Sequence, residues 1–579
     1  MLNALSVSLG GDAAGVLRAT RSMERQGMAP AVRHAWSGGE LQAWSQPAQC
    51  DTADCFLRTA DGVACCVGPI WYRGAFGVDA LRRLLDETEE GSSPPRIDET
   101  KLRGNFVLFL QKGARAWLLN DALGFARLYG SRDGRFHCTS WLAARAYGGD
   151  AEIDEGAAIE YVLLGAPHSE RTVAKSVTKL AIGHAVDLAE RRAISRFPMG
   201  IWSAAQDFGS FESAASAIEA HLRTVFADIV SAFPGRVSAA LSGGFDSRLI
   251  VAGLLAQGEC PKVFVYGGPE SEDVPIAREI ARAEGIPIRI IDKEVVNQRL
   301  AEPDLDELVR CALFFDGLPN DGIDDRGADR STRIEQSADG TLALNGGGGE
   351  IFRNFFHLPD RSYRARDIVR AFYRGFDPAV FRRHGGLAAY EAGLTASIAH
   401  AVGLQENEAD VPLAREQVEL VYPLFRCHHW MGLNNSIALR QGPFMTPLAD
   451  LLTVRDACML PLAWKNAGCF EAKLITSLHR SIASRPSAYG FRFSDGPDPR
   501  ARWVEWSTRM RPVFVRPLIN AVRRKLRDPG VSETLIARYR SLLPGEWRLD
   551  GVLDLARLPD DAALARAMSL ELISRELKP

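Results

Sequence analysis

The residues best suited to chemistry in this 579-residue chain lie at positions 237–250, in the segment VSAALSGGFDSRLI. Its small apolar residues up to Leu241 predict a buried strand, and the residues from about Asp246 onward predict a helix. A turn between a strand and a helix points backbone N–H groups at a bound anion. Gly243 and Gly244 would let the main chain approach that anion closely, because a Cβ atom is absent there.

The polar side chains of the same turn add to this prediction. Ser242 and Ser247 can contribute hydroxyl donors, and the Asp246 carboxylate is placed to hold Mg²⁺ on bound phosphates. No Gly-Lys-Ser/Thr follows, so the turn is not a Walker loop. An ordinary glycine turn is the alternative, but the two serines and the aspartate favour a phosphate-binding segment from Leu241 to Ser247.

A second glycine loop lies at positions 344–352, LNGGGGEIF, directly after the short apolar stretch 342–344. The stretch predicts a strand, and the loop would then follow a strand end as the first one does. Glu350 is the one carboxylate in this loop. A flexible surface loop is the alternative interpretation.

Composition limits the classes of function. A chain this long exceeds one core, and 46% hydrophobic with 24% charged residues is an ordinary globular balance. The formal net charge of −3 gives no global field for nucleic acid. The cysteine spacing indicates neither zinc nor a disulfide framework, and no signal peptide or membrane span is evident. We therefore expect a cytoplasmic protein with no nucleic-acid partner and no membrane span.

The pattern of elements predicts two domains, at 1–205 and 206–579. The first shows short strands at 63–67, 105–110, 116–120 and 135–139 with a helix at 78–86, which is typical of an antiparallel α+β domain. The second alternates strands and helices, which predicts a doubly wound parallel sheet with many added helices after residue 361. By the switch-point rule, a nucleotide would bind at the carboxyl ends of its strands.

Three blocks in the first domain, LRGNFVLFL, NDALGFARLYG and GRFHCTSWLAA, followed by SGGFDS in the second, resemble the asparagine synthetases. The resemblance covers most of the chain. It implies a glutaminase-like domain with an Ntn-hydrolase-like sandwich, followed by an ATP-pyrophosphatase synthetase domain. ATP and Mg²⁺ are the cofactors that it implies.

The chain departs from that family where the glutaminase does its chemistry. Leu2 stands in place of the nucleophilic cysteine, and a leucine cannot attack a carbonyl carbon. Val67-Gly68 stands in place of the Asn-Gly oxyanion donor, and the family's HRGPD element corresponds at best to positions 25–29, RQGMA. The resemblance therefore predicts a degenerate domain that releases no ammonia from glutamine.

In the second domain the resemblance assigns further residues. Alignment on Glu350 places Gly349 at the family's metal-binding aspartate, so Glu350 is the candidate second Mg²⁺ ligand. The family's catalytic lysine falls on Gly490, and Arg492 is the candidate substitute. The remaining candidate nucleotide contacts are Val265, Tyr266, Gly267, Gly347 and Gly348.

The function that follows is AMP-forming amide-bond ligation through an acyl-adenylate, with an amine that does not come from glutamine. Polar and aromatic residues at 426–435 are a candidate substrate pocket, and the basic run 509–527 is a solvated helix face or a dock for an acidic partner. The leading hypothesis is a lasso-type cyclase that closes a macrolactam in a peptide, with a leader-peptide protease and a peptide-recognition protein as partners. The alternatives are an ammonia-dependent asparagine synthetase, a ligase or β-lactam-type synthetase acting on a small carboxylate, and a non-catalytic scaffold.

Overall fold

The computed structural model describes residues 2–10, 12–46, 55–149, 152–203, 207–298, 302–323, 328–405, 408–527 and 530–577. The predicted domain boundary between residues 205 and 206 lies outside this described part. Within it, no helix combines the length and the apolar character that crossing a membrane requires.

The first two hundred residues form antiparallel sheets, as the sequence predicts. Two of these are six-stranded, in the orders β13-β11-β12-β1-β3-β2 and β15-β14-β10-β9-β5-β4, and a three-stranded sheet has the order β7-β6-β8. The described strands are β1 (Ala4–Ser8), β2 (Ala29–Trp36), β3 (Gly39–Ser45), β4 (Phe56–Arg58), β5 (Gly62–Val67), β6 (Ile70–Tyr72), β7 (Ala75–Phe76), β8 (Leu102–Gly104), β9 (Val107–Lys112), β10 (Arg115–Asn120), β11 (Tyr129–Ser131), β12 (Phe136–Cys138), β13 (Val177–Lys179), β14 (His184–Asp187) and β15 (Arg192–Ser195).

Helices accompany these sheets, and they begin where the sequence provides capping groups. Asp12, Ser140 and Asp154 each accept a backbone hydrogen bond at the start of a helix. The predicted helix at 78–86 is confirmed. The helices are α1 (Ala13–Arg25), α2 (Gly77–Glu87), α3 (Trp141–Gly148) and α4 (Glu155–Leu164).

The second part of the chain contains a parallel sheet, again as predicted. It comprises β16 (Val237–Ala240), β17 (Lys262–Tyr266), β18 (Ile288–Ile291), β19 (Leu342–Leu344) and β22 (Phe444–Met445). Their order is β18-β17-β16-β19-β22, and each neighbouring pair runs parallel. After β16, the next two strands along the chain extend the sheet on one side, and β19 then pairs with the other side of β16. Such a reversal of strand order is the point at which open α/β sheets bind ligands.

Helices form most of the rest. They are α5 (Phe211–Ala232), α6 (Phe245–Leu255), α7 (Asp273–Glu284), α8 (Lys293–Gln298), α9 (Leu305–Phe314), α10 (Ala328–Gln336), α11 (Ala365–Phe372), α12 (Gly386–Ala401), α13 (Arg415–Val421), α14 (Gly432–Leu439), α15 (Leu451–Cys458), α16 (Leu462–Lys465), α17 (Cys469–Leu478), α18 (Arg480–Ala483), α19 (Pro499–Arg509), α20 (Arg516–Arg527), α21 (Glu533–Leu542) and α22 (Asp561–Arg575). A short two-stranded ribbon pairs β20 (Tyr363–Arg364) with β21 (Pro412–Leu413).

Between α13 and α14 the helix widens into a π-helix, Tyr422–Met431. Pro423 lies at its start, where the missing N–H removes one backbone hydrogen bond. A wider hydrogen-bonding pattern accommodates that loss without ending the helix, and π-helical segments occur often at functional sites. Pro423 therefore marks a change of helix type rather than the end of the helix.

The two parts of the chain share their interior. One hydrophobic core extends from the amino-terminal sheets through the parallel sheet, and the other includes Ala343, Leu439 and Phe444 from the second part. Polar contacts also cross the boundary, such as the 2.6 Å hydrogen bond from the Thr446 amide to Asn105 Oδ1. The amino-terminal part of the chain therefore packs as an integral part of the body of the protein.

Candidate active site

The segment after β16 forms an ordered loop at the switch point of the parallel sheet. The Ser242 amide donates to Ser247 Oγ at 3.0 Å, and the two serine hydroxyls lie 2.9 Å apart. The Gly244 amide donates to Ser242 Oγ at 3.2 Å. The helix α6 begins at Phe245, so Asp246 falls in its first turn, where the helix dipole favours negative charge.

This loop already holds an anionic oxygen. The Gly243 amide donates to Asp273 Oδ1 at 2.7 Å, and Asp273 is the first residue of α7. A carboxylate oxygen at that position shows what kind of group the backbone N–H binds. A phosphate oxygen has the same chemical character as an acceptor.

The second glycine loop, after β19, lies directly against the first. A Cβ atom added at Gly349 would come within 2.3 Å of Asp246 Oδ1, and one at Gly346 within 3.3 Å of the Ser247 amide nitrogen. The position that the resembling family fills with aspartate therefore has no room for a side chain here unless Asp246 moves. The glycine at 349 is a consequence of this close approach.

Arg353 connects the carboxylates of the site. Its Nη2 donates to both oxygens of Asp246, at 2.7 and 2.9 Å. The same nitrogen lies 3.9 Å from Glu350 Oε1, and Arg353 Nε lies 2.9 Å from Glu471 Oε2 without the alignment of a hydrogen bond. On the other side of Glu350, the Tyr422 hydroxyl donates to Oε2 at 2.5 Å. One guanidinium thus faces three carboxylates.

Burial and mutual repulsion perturb the ionisation of this cluster. Burial raises the pKa of Asp246, and the neighbouring Glu350 charge raises it further against the opposing effect of Arg353. Burial and the nearby Asp246 charge hold the pKa of Glu471 well above its usual range. Burial opposes the charge of Arg353, but Asp246 and Glu471 together keep its pKa well above the usual value. Such perturbed groups are typical of functional sites.

The donor chemistry of this cluster fits Mg²⁺. The ion takes oxygen ligands and is usually held by one or two carboxylates plus phosphate oxygens. Asp246 and Glu350 both lie near one cation, Arg353, so a divalent cation shared by the two carboxylates would suit their charge. No group of three or more His, Cys, Asp or Glu side chains in the described ranges is arranged to hold a metal by itself. Phosphate oxygens would therefore have to complete the ligand set.

A cavity of about 670 Å³ opens beside Phe245 and Arg353. Aromatic rings form one wall: Phe245 stacks on Phe493 with 4.1 Å between ring centroids, and Tyr489 lies 4.7 Å from Phe245. Gly468 makes this arrangement possible, because a Cβ atom there would come within 2.5 Å of the Phe245 ring. The remaining lining includes Lys465, Phe491, Ala501 and Thr508.

The other predicted residues lie as follows. Leu241 and Val265 are buried, and the Leu241 amide donates to the Phe264 carbonyl at 2.8 Å. Tyr266 is 39% exposed at the end of β17, and Gly267 follows it with a φ of 147°. Their contact with a nucleotide stays a prediction.

Gly347 and Gly348 lie in the second loop; the Gly347 amide donates to Asn345 Oδ1 at 3.0 Å, and Gly348 has a φ of 92°.

Arg492, the predicted substitute for the family's lysine, is exposed next to Phe493. Two other arginines contact the loop. Arg353 binds Asp246, and Arg248 is fully buried beneath the loop, where its Nη1 donates to the Arg485 carbonyl at 3.2 Å. Burial lowers the pKa of Arg248 to about 10. The role of Arg492 stays a prediction.

Sequence reasoning did not identify Arg353, Tyr422 or Glu471. Glu471 left a signal: it is the one acidic residue in the mostly apolar sequence CFEAKLITSL of α17, and its side chain is fully buried. A carboxyl group that is buried so completely requires a partner. Arg353 follows Glu350 by three residues, but nothing in that spacing indicates that it turns toward Asp246.

The residues at 426–435, which the sequence predicts to line a substrate pocket, have other contacts in the structure. His428 and His429 are buried, and their backbone carbonyls accept hydrogen bonds from Arg127 of the amino-terminal part. Lys179 Nζ lies 2.7 Å from His429 Nδ1. These side chains form a polar contact between the two parts of the chain. They do not line the cavity beside Phe245, and their part in a substrate pocket stays a prediction.

Comparison with known proteins adds little to this geometry. No family model matches the chain, and no curated protein matches it. Among solved structures, the chain is similar to the glutamine phosphoribosylpyrophosphate amidotransferase from B. subtilis in complex with ADP and GMP, at 11% identity and a TM-score of 0.20. The match covers 52% of this chain and 68% of that one. A TM-score that low supports no argument about function.

Proposed function

We propose that this chain uses ATP to activate a carboxylate as an acyl-adenylate and then joins it to an amine. The observation that carries the proposal is the meeting of two glycine loops at the switch point of a parallel sheet. There Asp246 and Glu350 face one shared cation beside a cavity. A resemblance to the synthetase domain of asparagine synthetases supports the same chemistry.

The residues of the two loops would divide the work as follows. The amides of Gly243 and Gly244 would exchange Asp273 and Ser242 for the phosphates that leave, and the hydroxyls of Ser242 and Ser247 would add donors. Asp246 and Glu350 would hold Mg²⁺, which supplies positive charge to those phosphates when bound. Arg353 would have to give up part of its contact with Asp246 at that stage and would remain beside Glu471.

The reaction balances without any further co-reactant. A carboxylate oxygen attacks the α-phosphorus, an O–P bond forms, and the bond between the α and β phosphates breaks to release pyrophosphate. The amine nitrogen then attacks the acyl carbon, the C–O bond to AMP breaks, and the nitrogen loses a proton. The amine does not come from glutamine, because Leu2 and Val67 remove the nucleophile and the oxyanion donor.

The size of the cavity favours a substrate larger than aspartate. A volume of about 670 Å³ falls in the range of drug-sized ligand sites, and its aromatic wall suits an apolar or extended substrate. The best proposal is therefore macrolactam closure in a peptide, as in lasso peptide cyclases. A leader-peptide protease and a peptide-recognition protein would be the partners.

The test measures pyrophosphate release with Mg²⁺ and ATP in the presence of a panel of carboxylates. Peptides that carry a free amino terminus and an internal Asp or Glu should give pyrophosphate, AMP and a product lighter by one water. Release with aspartate and ammonia would indicate the asparagine synthetase alternative, and release with a small β-amino acid would indicate the β-lactam-type alternative. If no carboxylate in the panel gives pyrophosphate, the ligase proposal fails.

A second candidate function is a non-catalytic scaffold, and the contact between Arg353 and Asp246 favours it. A permanent guanidinium would neutralise Asp246 without any metal. Calorimetric titration separates the two candidates, because a ligase should bind ATP more tightly with Mg²⁺ than with EDTA. A scaffold should show no such difference.

A further inference from the structure

A row of large apolar side chains is exposed along α19, along the segment that follows it, and along α20 as far as Val522. We call it the apolar stripe; its members are Trp503, Trp506, Met510, Phe514, Leu518 and Val522. Trp503 and Trp506 are three residues apart in α19, and Leu518 and Val522 are four apart in α20, which are spacings that place neighbours on one side of a helix. Met510 and Phe514 lie in the segment that connects the two helices. The exposed fractions range from 51% for Trp506 to 78% for Phe514.

This concentration is unusual within the described chain. Seven of the fifteen large hydrophobic side chains that are described as exposed lie between Trp503 and Val522, while the others are scattered over the remaining sequence. Single exposed apolar residues are normal, but a contiguous group marks an interaction site. Two tryptophans and a phenylalanine in the group add a preference for an interface between water and an apolar phase.

The sequence around the apolar stripe is strongly basic. Residues 499–527 contain nine Arg or Lys and a single acidic residue, Glu505, in a chain whose formal net charge is −3. Glu505 is itself paired with Arg509 at 3.3 Å. The sequence that carries the exposed aromatic side chains therefore has a net positive charge, which is complementary to an anionic surface.

Both helices are anchored to the body of the protein, so the exposure of the stripe is not a sign of detached helices. Arg516 is buried, and it donates to the carbonyls of Phe356 at 2.8 Å and His357 at 2.6 Å. Ala501 and Thr508 of α19 line the candidate cavity. The helix thus has one side on the cavity and another that presents the stripe.

We propose that the apolar stripe docks this chain on an anionic membrane surface, with α19 and α20 lying at the headgroup level. Amphipathic helices with basic residues and with Trp, Phe and Leu on the apolar side bind in this way. Large side chains that protrude at 64% and 78% exposure, as Trp503 and Phe514 do, suit insertion among lipid headgroups better than the filling of a groove. Docking would place the mouth of the cavity next to the bilayer, and it does not depend on the proposed ligase activity.

The test is co-sedimentation of the full chain with vesicles, either of phosphatidylcholine alone or of equal parts phosphatidylcholine and phosphatidylglycerol. The chain should bind the mixed vesicles and bind phosphatidylcholine weakly. The double variant Trp503→Ser/Phe514→Ser should lose at least about tenfold in partitioning, because two apolar side chains no longer insert. The matched control Leu17→Ser/Val411→Ser changes two apolar residues that are 50% and 45% exposed elsewhere, and it should bind like the unchanged chain.

A second measurement tests insertion directly. Vesicles with brominated acyl chains should quench the fluorescence of the bound chain, and Trp503→Phe/Trp506→Phe should still bind but lose most of that quenching. Failure of the unchanged chain to bind mixed vesicles, equal binding to both vesicles, or equal binding by the serine double variant would each overturn the proposal. If the chain ignores vesicles and instead self-associates through the stripe, the stripe is a protein interface.

Discussion

The surroundings of Leu2 and of Asp246 differ in kind, although the resemblance in sequence predicts that both positions correspond to places of chemistry. Leu2 and Val67 are 0% and 3% exposed within a hydrophobic core. Asp246, by contrast, shares a small volume with Glu350, Glu471 and Arg353. One region is filled with apolar side chains, and the other keeps charges in a partly buried position.

The free energy of burying apolar and charged side chains explains this difference. An apolar side chain that replaces a polar one in a core stabilises the fold, so a site without a function is expected to fill in this way. Charges removed from water destabilise the fold unless they are paired and hydrogen-bonded. The persistence of three carboxylates and an arginine in one place is therefore the better sign of a working site.

The largest expected effect comes from Arg353→Gln, which removes the one cation of the cluster. Loss of one partner from a buried ion pair destabilises a fold by about 3–5 kcal/mol, because the other charges remain without compensation. Urea unfolding followed by circular dichroism would measure this loss. Added Mg²⁺ should restore part of the stability, since the ion can neutralise Asp246 and Glu350.

Arg310→Gln is the matched control for this variant. Arg310 is 60% exposed and paired with Glu307, so its removal should leave the free energy of unfolding nearly unchanged. If Arg353→Gln unfolds at the same urea concentration as the control, the carboxylates of the cluster do not need Arg353 to compensate their charge. The cluster would then differ little in its energetics from the apolar core around Leu2.

Asp246→Asn should reduce pyrophosphate release by about 10²–10³-fold, because it removes one preorganised charge without changing the volume. The fold should remain intact, with Arg353 still paired to Glu471. Full activity in this variant would show that the phosphate site is wrongly assigned. Asp207→Asn, an exposed aspartate before α5, is a suitable control and should behave like the unchanged chain.

Most of the backbone of the Asp246 region follows from sequence pattern. The apolar runs up to Leu241 and at 342–344 predict β16 and β19 closely, and Ser210 provides the capping hydroxyl at the start of α5. The glycine loops follow from the requirement for close backbone approach. These features depend on local residues, which periodicity and turn chemistry describe well.

The ionic cluster could not be predicted in the same way. Glu471 reaches Asp246 only because α17 packs on α6, with Gly468 leaving space for Phe245. Arg353 turns toward Asp246 because the short helical turn before it, Gly349–Phe352, packs against α6. Contacts between distant segments set both positions, and a single sequence does not encode them in any spacing.

Glu350→Gln should weaken adenylation about 10²-fold and shift the Mg²⁺ requirement to higher concentration, if Glu350 is a metal ligand. Glu350→Asp should be nearly as damaging, because the shorter side chain withdraws its oxygen from the ion and from the Tyr422 hydroxyl. Tyr422→Phe leaves the carboxylate in place and should lose about tenfold in Mg²⁺ affinity. Normal Mg²⁺ titrations of adenylation in both Glu350 variants would restrict its role to closing the loop.

Because of Glu471, the region around Asp246 should make the free energy of unfolding depend on pH, which the apolar surroundings of Leu2 should not do. The folded chain raises the pKa of Glu471 above the ordinary 4.5, so the folded state binds this proton more tightly than the unfolded chain does. Stability should therefore decrease as pH rises from the ordinary carboxyl range toward the folded pKa, by up to about 1.4 kcal/mol per pH unit. Glu471→Gln should make this slope shallower, and Asp246, whose pKa is also raised, should account for the part that remains. If the free energy of unfolding in urea changes with pH in the same way for the unchanged chain and for Glu471→Gln, the raised pKa of Glu471 is contradicted.

Leu2→Cys should have the smallest effect, because it restores one part of a site that has lost the others. A thiol at position 2 would be as buried as Cys65, whose pKa burial raises far above that of a free thiol, and a protonated thiol is a poor nucleophile. Val67 would still offer no side-chain donor for the oxyanion. Glutamate release from glutamine should therefore stay at background in Leu2→Cys and in Leu2→Cys/Val67→Asn alike. If the double variant releases glutamate, the amino-terminal region retains a usable site, and its difference from the Asp246 region is two side chains rather than a filled core.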